Sequence, residues 1–197
     1  MTIKIVAGLI AVGIAITIGM FLVTDQKTAE GEPVTFFQFL TNSGTTPSVP
    51  GDAPPPPPDE KKATYDHPLG FSFQHPTDVN ITSFDDGEGE VVLGQGKERR
   101  AFQIFILPFD EEGPVTPERV KKDVPDMQIE SPQQVLIGKN KNIAALIFLS
   151  ESQELGKTRE IWFSHEGYLY QITTYADADS FIGSLLETWR FEEQYQA

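Results

Sequence analysis

The longest apolar run in the chain is Ile5–Val23, nineteen residues in which Thr17 is the one clearly polar position. At about 1.5 Å per residue a helix of that length reaches roughly 28 Å, close to the ~30 Å hydrocarbon core of a bilayer. A helix that is apolar all round and leads into a linker has no protein core to enter, so the pattern predicts a membrane span limited by Ile5 and Val23. The run is longer than the apolar core of a cleaved signal. Lys27 also falls in Thr24–Ala29, where cleavage would call for a small residue. Residues 1–24 are therefore read as an uncleaved, single-pass signal anchor. Lys4 and the terminal amine, against Lys27, give a positive-inside bias that places the rest of the chain outside the cytoplasm, on the cell membrane. Ala7, Ala11, Ala15 and Gly19 recur every four residues on one face. Such a stripe suits a homodimer or docking on another membrane helix, although Ala and Gly are common in membrane helices in any case.

Residues 25–63 read as a proline-rich linker. Pro33, Pro47, Pro50 and the run Pro54–Pro58 favour an extended, semi-rigid polyproline II spacer. A ligand for aromatic proline-binding domains is the functional alternative. Val34–Leu40 departs from this pattern, with three phenylalanines among its seven residues. It is expected to lie at the lipid headgroups, which aromatic rings favour, or else to dock on the domain or on a partner.

From residue 64 to 197 the pattern turns to strands. Phe71–His75 alternates and is stopped by Pro76, and Val79–Phe84 and Glu90–Gly94 flank the turn Asp85–Gly89. Ala101–Leu107 and Ile143–Leu149 are apolar on both faces, which marks central, covered strands. Gln134–Ile137 is a short strand. Thr158–Ser164 and Tyr168–Tyr175 form a hairpin turning at His165-Glu166-Gly167. Two helices are punctuated clearly. In the first, Thr116 suits the N-cap, Pro117 the first position and Glu118 the positive end of the dipole. Val115 and Val120 can staple its start, and Pro125 stops it. In the second, Asp179 is the expected cap for a stripe of Phe181, Ile182, Leu185, Leu186 and Trp189. Doubly covered strands with two helices predict an α+β domain, an antiparallel sheet flanked by helices.

Composition narrows the function. The 134 residues of this domain suffice for one core. The absence of cysteine removes disulfide scaffolds, thiol catalysis and cysteine-bound zinc. The whole chain carries −14, and residues 64–197 hold 11 Lys+Arg against 23 Asp+Glu, a net −12. Such a surface repels phosphate backbones, which argues against nucleic acid as a partner, and it favours cations or basic proteins.

Gly70-Phe71-Ser72-Phe73-Gln74-His75-Pro76 resembles the G-[FY]-S-[FL]-x-x-P opening of PsbP-like domains. The closing order of aromatic hairpin, Asp and amphipathic helix ending in Trp189-Arg190-Phe191 is also similar to that family, over roughly residues 64–192. The resemblance implies an α/β/α sandwich around an antiparallel sheet and a role in binding or assembly without catalysis. It implies no particular partner.

Candidate chemistry is sparse. Asp85, Asp86, Glu88 and Glu90 with intervening glycines offer oxygen ligands of the kind Ca²⁺ needs, but without the EF-hand order, and a solvated hairpin tip accounts for them as well. Asp66, His67 and His75 bracket the first strand without a familiar metal-ligand spacing. Ser164-His165-Glu166 contains triad residue types, but consecutive turn residues cannot chain as nucleophile, base and orienter. Gly156-Lys157-Thr158 has Glu151 where a phosphate loop needs glycine, and Gly94-Gln95-Gly96 is followed by Arg99 in place of the third glycine. Trp162, Tyr168 and Tyr170 are candidates for a partner-binding surface, since Trp and Tyr favour hot spots, with core packing as the ordinary alternative. The expected function is a membrane-tethered, extracytoplasmic binding or assembly domain without catalysis or cofactor, its protein partner open. The alternative is a Ca²⁺-binding protein or an enzyme using residues 85–90 or His67 and His75.

Overall fold

The computed structural model describes residues 34–35, 61–152 and 155–192. Two strand meanders build the main sheet. The first comprises β4 (Asn80–Asp85), β5 (Glu90–Gln95) and β6 (Ala101–Pro108). The second comprises β7 (Glu130–Ile137), β8 (Ile143–Ser152), β9 (Gly156–His165) and β10 (Tyr168–Tyr175). They join where β10 pairs antiparallel with β6, Ile172 facing Ile104. The two-residue strand β1 (Val34–Thr35) adds parallel to β7 at the far edge, Val34 facing Val135. The order is β1-β7-β8-β9-β10-β6-β5-β4, with every pair but β1–β7 antiparallel. A second, three-stranded sheet runs β11-β3-β2, formed by β2 (Lys62–Asp66), β3 (Phe71–Pro76) and β11 (Arg190–Phe191).

Both faces of the main sheet are covered. On one face, Leu146 and Phe148 of β8, Trp162 of β9 and Leu169 of β10 pack with Val115 and Val120. Val120 belongs to α1 (Pro117–Asp123), whose Thr116 hydroxyl accepts from Arg119 N at 3.2 Å as the expected N-cap. On the other face, Ala145, Ile147, Ile161, Phe163, Tyr170 and Ile172 meet α2 (Asp179–Leu186) and Phe71 and Phe73 of β3. The domain is α+β and mostly antiparallel sheet, with two short helices. Its cover differs from the expected helices completed by loops, because the small sheet shares one face with α2.

The centre of that second layer is aromatic. Trp189 is fully buried and stacks on Phe71 with centroids 4.6 Å apart and planes 6° apart, and on Phe73 at 5.3 Å. Phe163 and Tyr170 meet it edge-on at 5.5 and 6.1 Å. Rings offset or edge-on add attraction beyond the area they bury.

Three local readings change. Asp179 does not cap α2. It is the first helical residue, and its carboxylate instead takes Arg159 Nε and Nη2 at 2.9 and 2.8 Å, a bidentate pair that outcompetes a backbone amide. β7 begins at Glu130, ahead of the expected Gln134, because a bulge between Glu130 and Gln133 accommodates Ser131 at φ +50° and Pro132. The domain's pairing begins at Lys62, where β2 alternates between exposed and half-buried residues at the edge of the small sheet, whereas the boundary was expected at residue 64.

Replacing Trp189 by alanine should cost about 3–5 kcal/mol of stability, the range for a large buried aromatic. Denaturant unfolding followed by circular dichroism measures it. A loss below about 1 kcal/mol would show that the stack does not hold the layers together.

Candidate functional site

One end of the main sheet opens into a cleft of about 510 Å³. Its walls are the segment after β6, the β7–β8 turn, the β9–β10 turn and β11, and each is fastened to a neighbour by backbone hydrogen bonds. Phe109 N donates to Gly167 O at 2.7 Å. In the β7–β8 turn, Gly138 N donates to Leu186 O at 3.0 Å and Lys139 N to Trp189 O at 2.7 Å, which binds the turn to the end of α2. Gly138 adopts φ +88°, a left-handed conformation that glycine allows without a Cβ clash. Glu192 N donates to Gly70 O at 2.7 Å, holding the exit of β11.

Inside this frame His165 stacks on Phe191, with centroids 3.5 Å apart and planes 20° apart. Burial pushes the imidazole pKa down from its ordinary value, only partly opposed by the Glu166 carboxylate 3.8 Å away, so the ring is neutral near pH 7. Arg190 is exposed and is steered by its Nε donating to Ser72 Oγ at 2.8 Å. Glu111 bonds to Lys122 at 2.9 Å and lies beside Arg119, and this hydrogen bond and the two cations hold its carboxyl below the ordinary range. Asn140 and Asn142 add amides at the rim. The cleft therefore offers hydrogen-bonding amides, a neutral imidazole on an aromatic floor and charges of both signs. It does not offer an activated serine, because Ser164 Oγ donates to Gly113 O at 3.0 Å.

The sequence candidates lie elsewhere. At the β4–β5 tip, Asp85 accepts from Gly87 N at 2.7 Å, and Asp86 from Glu88 N and Gly89 N at 3.0 and 2.9 Å, so both carboxylates close the turn. Glu90 faces inward and bonds His67 Nε2 at 2.8 Å. Leu69 N donates to His67 Nδ1 at 3.2 Å, so both of that ring's nitrogens are engaged. His75 lies at the far end of β3 and donates from Nδ1 to Pro76 O at 2.9 Å. Among the described residues no three His, Asp or Glu side chains are grouped to hold a metal ion. Trp162 and Tyr170 are 2% and 1% exposed and are core residues, not surface ones; Tyr168 is half-buried. Ile5–Val23 and the Ala7-Ala11-Ala15-Gly19 stripe lie outside the described residues, among which no helix is long and apolar enough to cross a membrane.

Sequence reasoning missed two features. The cleft depends on a turn rich in Lys and Asn meeting Arg190 and Phe191, which are far apart in the chain. The other is Glu160, buried on the α1 face of β9 and signalled only as the one acid of that strand. Thr158 and Thr173 hydroxyls each donate to its carboxylate at 2.7 Å. Burial raises its pKa and dominates the opposing effect of these hydrogen bonds. A carboxyl that holds its proton more tightly folded than unfolded stabilises the fold fully below its unfolded value. That contribution is lost as pH rises through the folded value. Glu160→Gln should therefore raise stability near pH 7, with the gain shrinking toward about pH 4, as read by denaturant unfolding at both. Equal destabilisation at both pH values would contradict this.

No family model matches the chain, and no curated protein matches it. Among solved structures it is similar to a crystal structure from Bacteroides thetaiotaomicron VPI-5482 at 15% identity and a TM-score of 0.47, covering 66% of this chain and 48% of that one. This chain thus spans about half the length of the Bacteroides protein. It is also similar to the solution structure of cyanobacterial PsbP (CyanoP) from Synechocystis sp. PCC 6803, at 11% identity and a TM-score of 0.45, covering 72% of this chain and 98% of that one.

Proposed function

We propose that this chain is a membrane-tethered binding and assembly module, held outside the cytoplasm, that receives a protein partner at the end cleft without catalysing a reaction. The cleft carries this reading. Its walls are fastened by backbone hydrogen bonds, so a partner meets a preformed surface and little ordering has to occur on binding. Its lining mixes an aromatic floor with amides and charges of both signs, the composition of a recognition site. The apolar run Ile5–Val23 supplies the tether and the proline-rich residues 25–63 the spacer. The PsbP-like reading of residues 64–197, with an α/β/α layering, belongs to the same proposal.

The test uses the full chain in its own membranes. The chain should stay with the membrane fraction after alkaline extraction, and its domain should be digested by protease added from outside. Crosslinking should join it to a specific protein, and Asn140→Arg with Asn142→Arg, which place two cations at the exposed rim, should abolish that product. Extraction into the soluble fraction would overturn the tether. A crosslinked product unchanged by the double substitution would overturn the cleft.

A further inference from the structure

We infer that the partner enters the end cleft as an extended strand and completes the main sheet between β8 and β9; this rests on the reading of the cleft as the docking site. The β8–β9 pairing runs from Ser152 opposite Gly156 to Leu146 opposite Trp162 and stops there. β8 nevertheless begins earlier, at Ile143, and β9 continues to His165. Beyond the last pair, residues 143–145 stay paired with β7 and residues 163–165 with β10, so the sheet forks. The cleft enters this fork: Ile143 and Ala144 line it from one prong, Ser164 and His165 from the other. Ala144 is exposed between the buried Ile143 and Ala145, although β8 lies inside the sheet.

Backbone chemistry in the fork calls for a strand. The two-residue turn at Glu166-Gly167, with φ +45° and +81°, closes on His165 and Tyr168 as a hydrogen-bonded pair. Bonding sides alternate along a strand, so Ser164 directs its N–H and C=O away from β10 and into the fork. Trp162 points the same way and pairs with Leu146, so Ala144, two residues from Leu146, also directs its groups into the fork. Because β8 and β9 are antiparallel, an inserted strand is antiparallel to one prong and parallel to the other. Its middle residue exchanges both bonds with the antiparallel prong, and the C=O and N–H of its two neighbours serve the parallel one. A stretch of three extended residues, roughly 10 Å long, therefore satisfies the backbone of both Ala144 and Ser164. In strand addition of this kind main-chain bonds give affinity and side-chain pockets give specificity.

The two sides of the fork select the partner's side chains. Leu146 and Trp162 face α1, so Ala144, Ser164 and the partner's middle side chain face that side too. The segment after β6 borders it, with Ser164 Oγ donating to Gly113 O at 3.0 Å. Glu111 is engaged there by Arg119 and Lys122, whereas Glu112 is exposed, and among the described residues it forms no ion pair. This side therefore suits a cation. The neighbouring side chains face the α2 layer, where they meet Arg190 and the Phe191 ring stacked on His165. Arg190, with Lys139 and Lys141 of the β7–β8 turn, makes that border cationic. It repels a base and accepts an aromatic ring against the guanidinium and the phenyl group. The occupant is thus an extended segment of a partner protein with a basic residue between two aromatic ones.

The probe is a capped pentapeptide with lysine between two phenylalanines and a threonine at each end. It is titrated onto the full chain in detergent micelles and followed by site-resolved amide hydrogen exchange. The Ala144 and Ser164 amides should exchange fast in the free chain and become protected by the peptide, while Leu146 and Trp162, inside the ladder, stay protected throughout. The peptide N-methylated at its lysine, and one with glutamate in place of lysine, should each bind at least about tenfold more weakly. Glu112→Lys should weaken the parent peptide to a similar degree, and Glu88→Lys at the β4–β5 tip should leave its binding unchanged. Slow exchange of Ala144 and Ser164 in the free chain would mean that the fork is already paired, and would overturn the inference. So would an N-methylated or glutamate peptide that binds as tightly as the parent, although the cleft would then remain a docking site. A parent peptide that protects neither amide overturns the strand but not the docking reading, which the crosslink and its loss with Asn140→Arg and Asn142→Arg decide separately.

Discussion

The stack of Trp189 on Phe71 and Phe73 is the contact on which the rest of the domain depends. A sheet whose central strands are apolar on both faces must be covered twice, and α1 serves only one face. The second face is closed by elements from opposite ends of the domain: β3 near its start, and α2 with the following residues at its end. Trp189 joins them. Its ring fills the space between the small sheet and the main sheet, and its carbonyl accepts from Lys139 N in the β7–β8 turn. The next two residues form β11 and supply Phe191 to the cleft. One residue thus links the second core layer to the candidate site.

The sequence was most legible where local chemistry and burial agree. Thr116, Pro117 and the Val115–Val120 pair announced α1 because cap, first-turn proline and staple are all local signals. The double-faced apolar runs of β6 and β8 announced central strands for the same reason. Legibility failed where a long-range partner decided the outcome. Asp179 has the residue type of a cap, but Arg159, twenty positions earlier, takes its carboxylate. β2 has no apolar run to mark it, since it sits at an edge with one face open. The bulge that carries Pro132 into β7 leaves no local signature either.

The same distinction applies to the candidate sites. The acidic residues 85–90 stand out by composition, yet Asp85 and Asp86 spend their carboxylates on the turn's own amides, and Glu90 turns inward to His67. The aromatic hairpin also stands out, and its alternation buries Trp162 and Tyr170 on opposite faces of the sheet. The end cleft is assembled from four separate segments, of which His165-Glu166-Gly167 reads in the sequence as a turn and Trp189-Arg190-Phe191 as the close of the domain, with nothing local to bring them together. Its rigidity comes from backbone bonds that composition does not encode.

The small sheet also determines how a pull on the chain would be borne. β3 is its middle strand, with β2 on one side and β11 on the other, so both borders of the described domain are fixed to the same six-residue strand. Tension arriving through residue 61 acts first on the five β2–β3 pairs, where only Tyr65 packs against the core. Directed across the sheet, it would peel those pairs singly from Lys62, while the Trp189 stack behind β3 stayed intact. β2 is thus a mechanical fuse: a few residues of slack can be released under load before the folded layers or the cleft feel it.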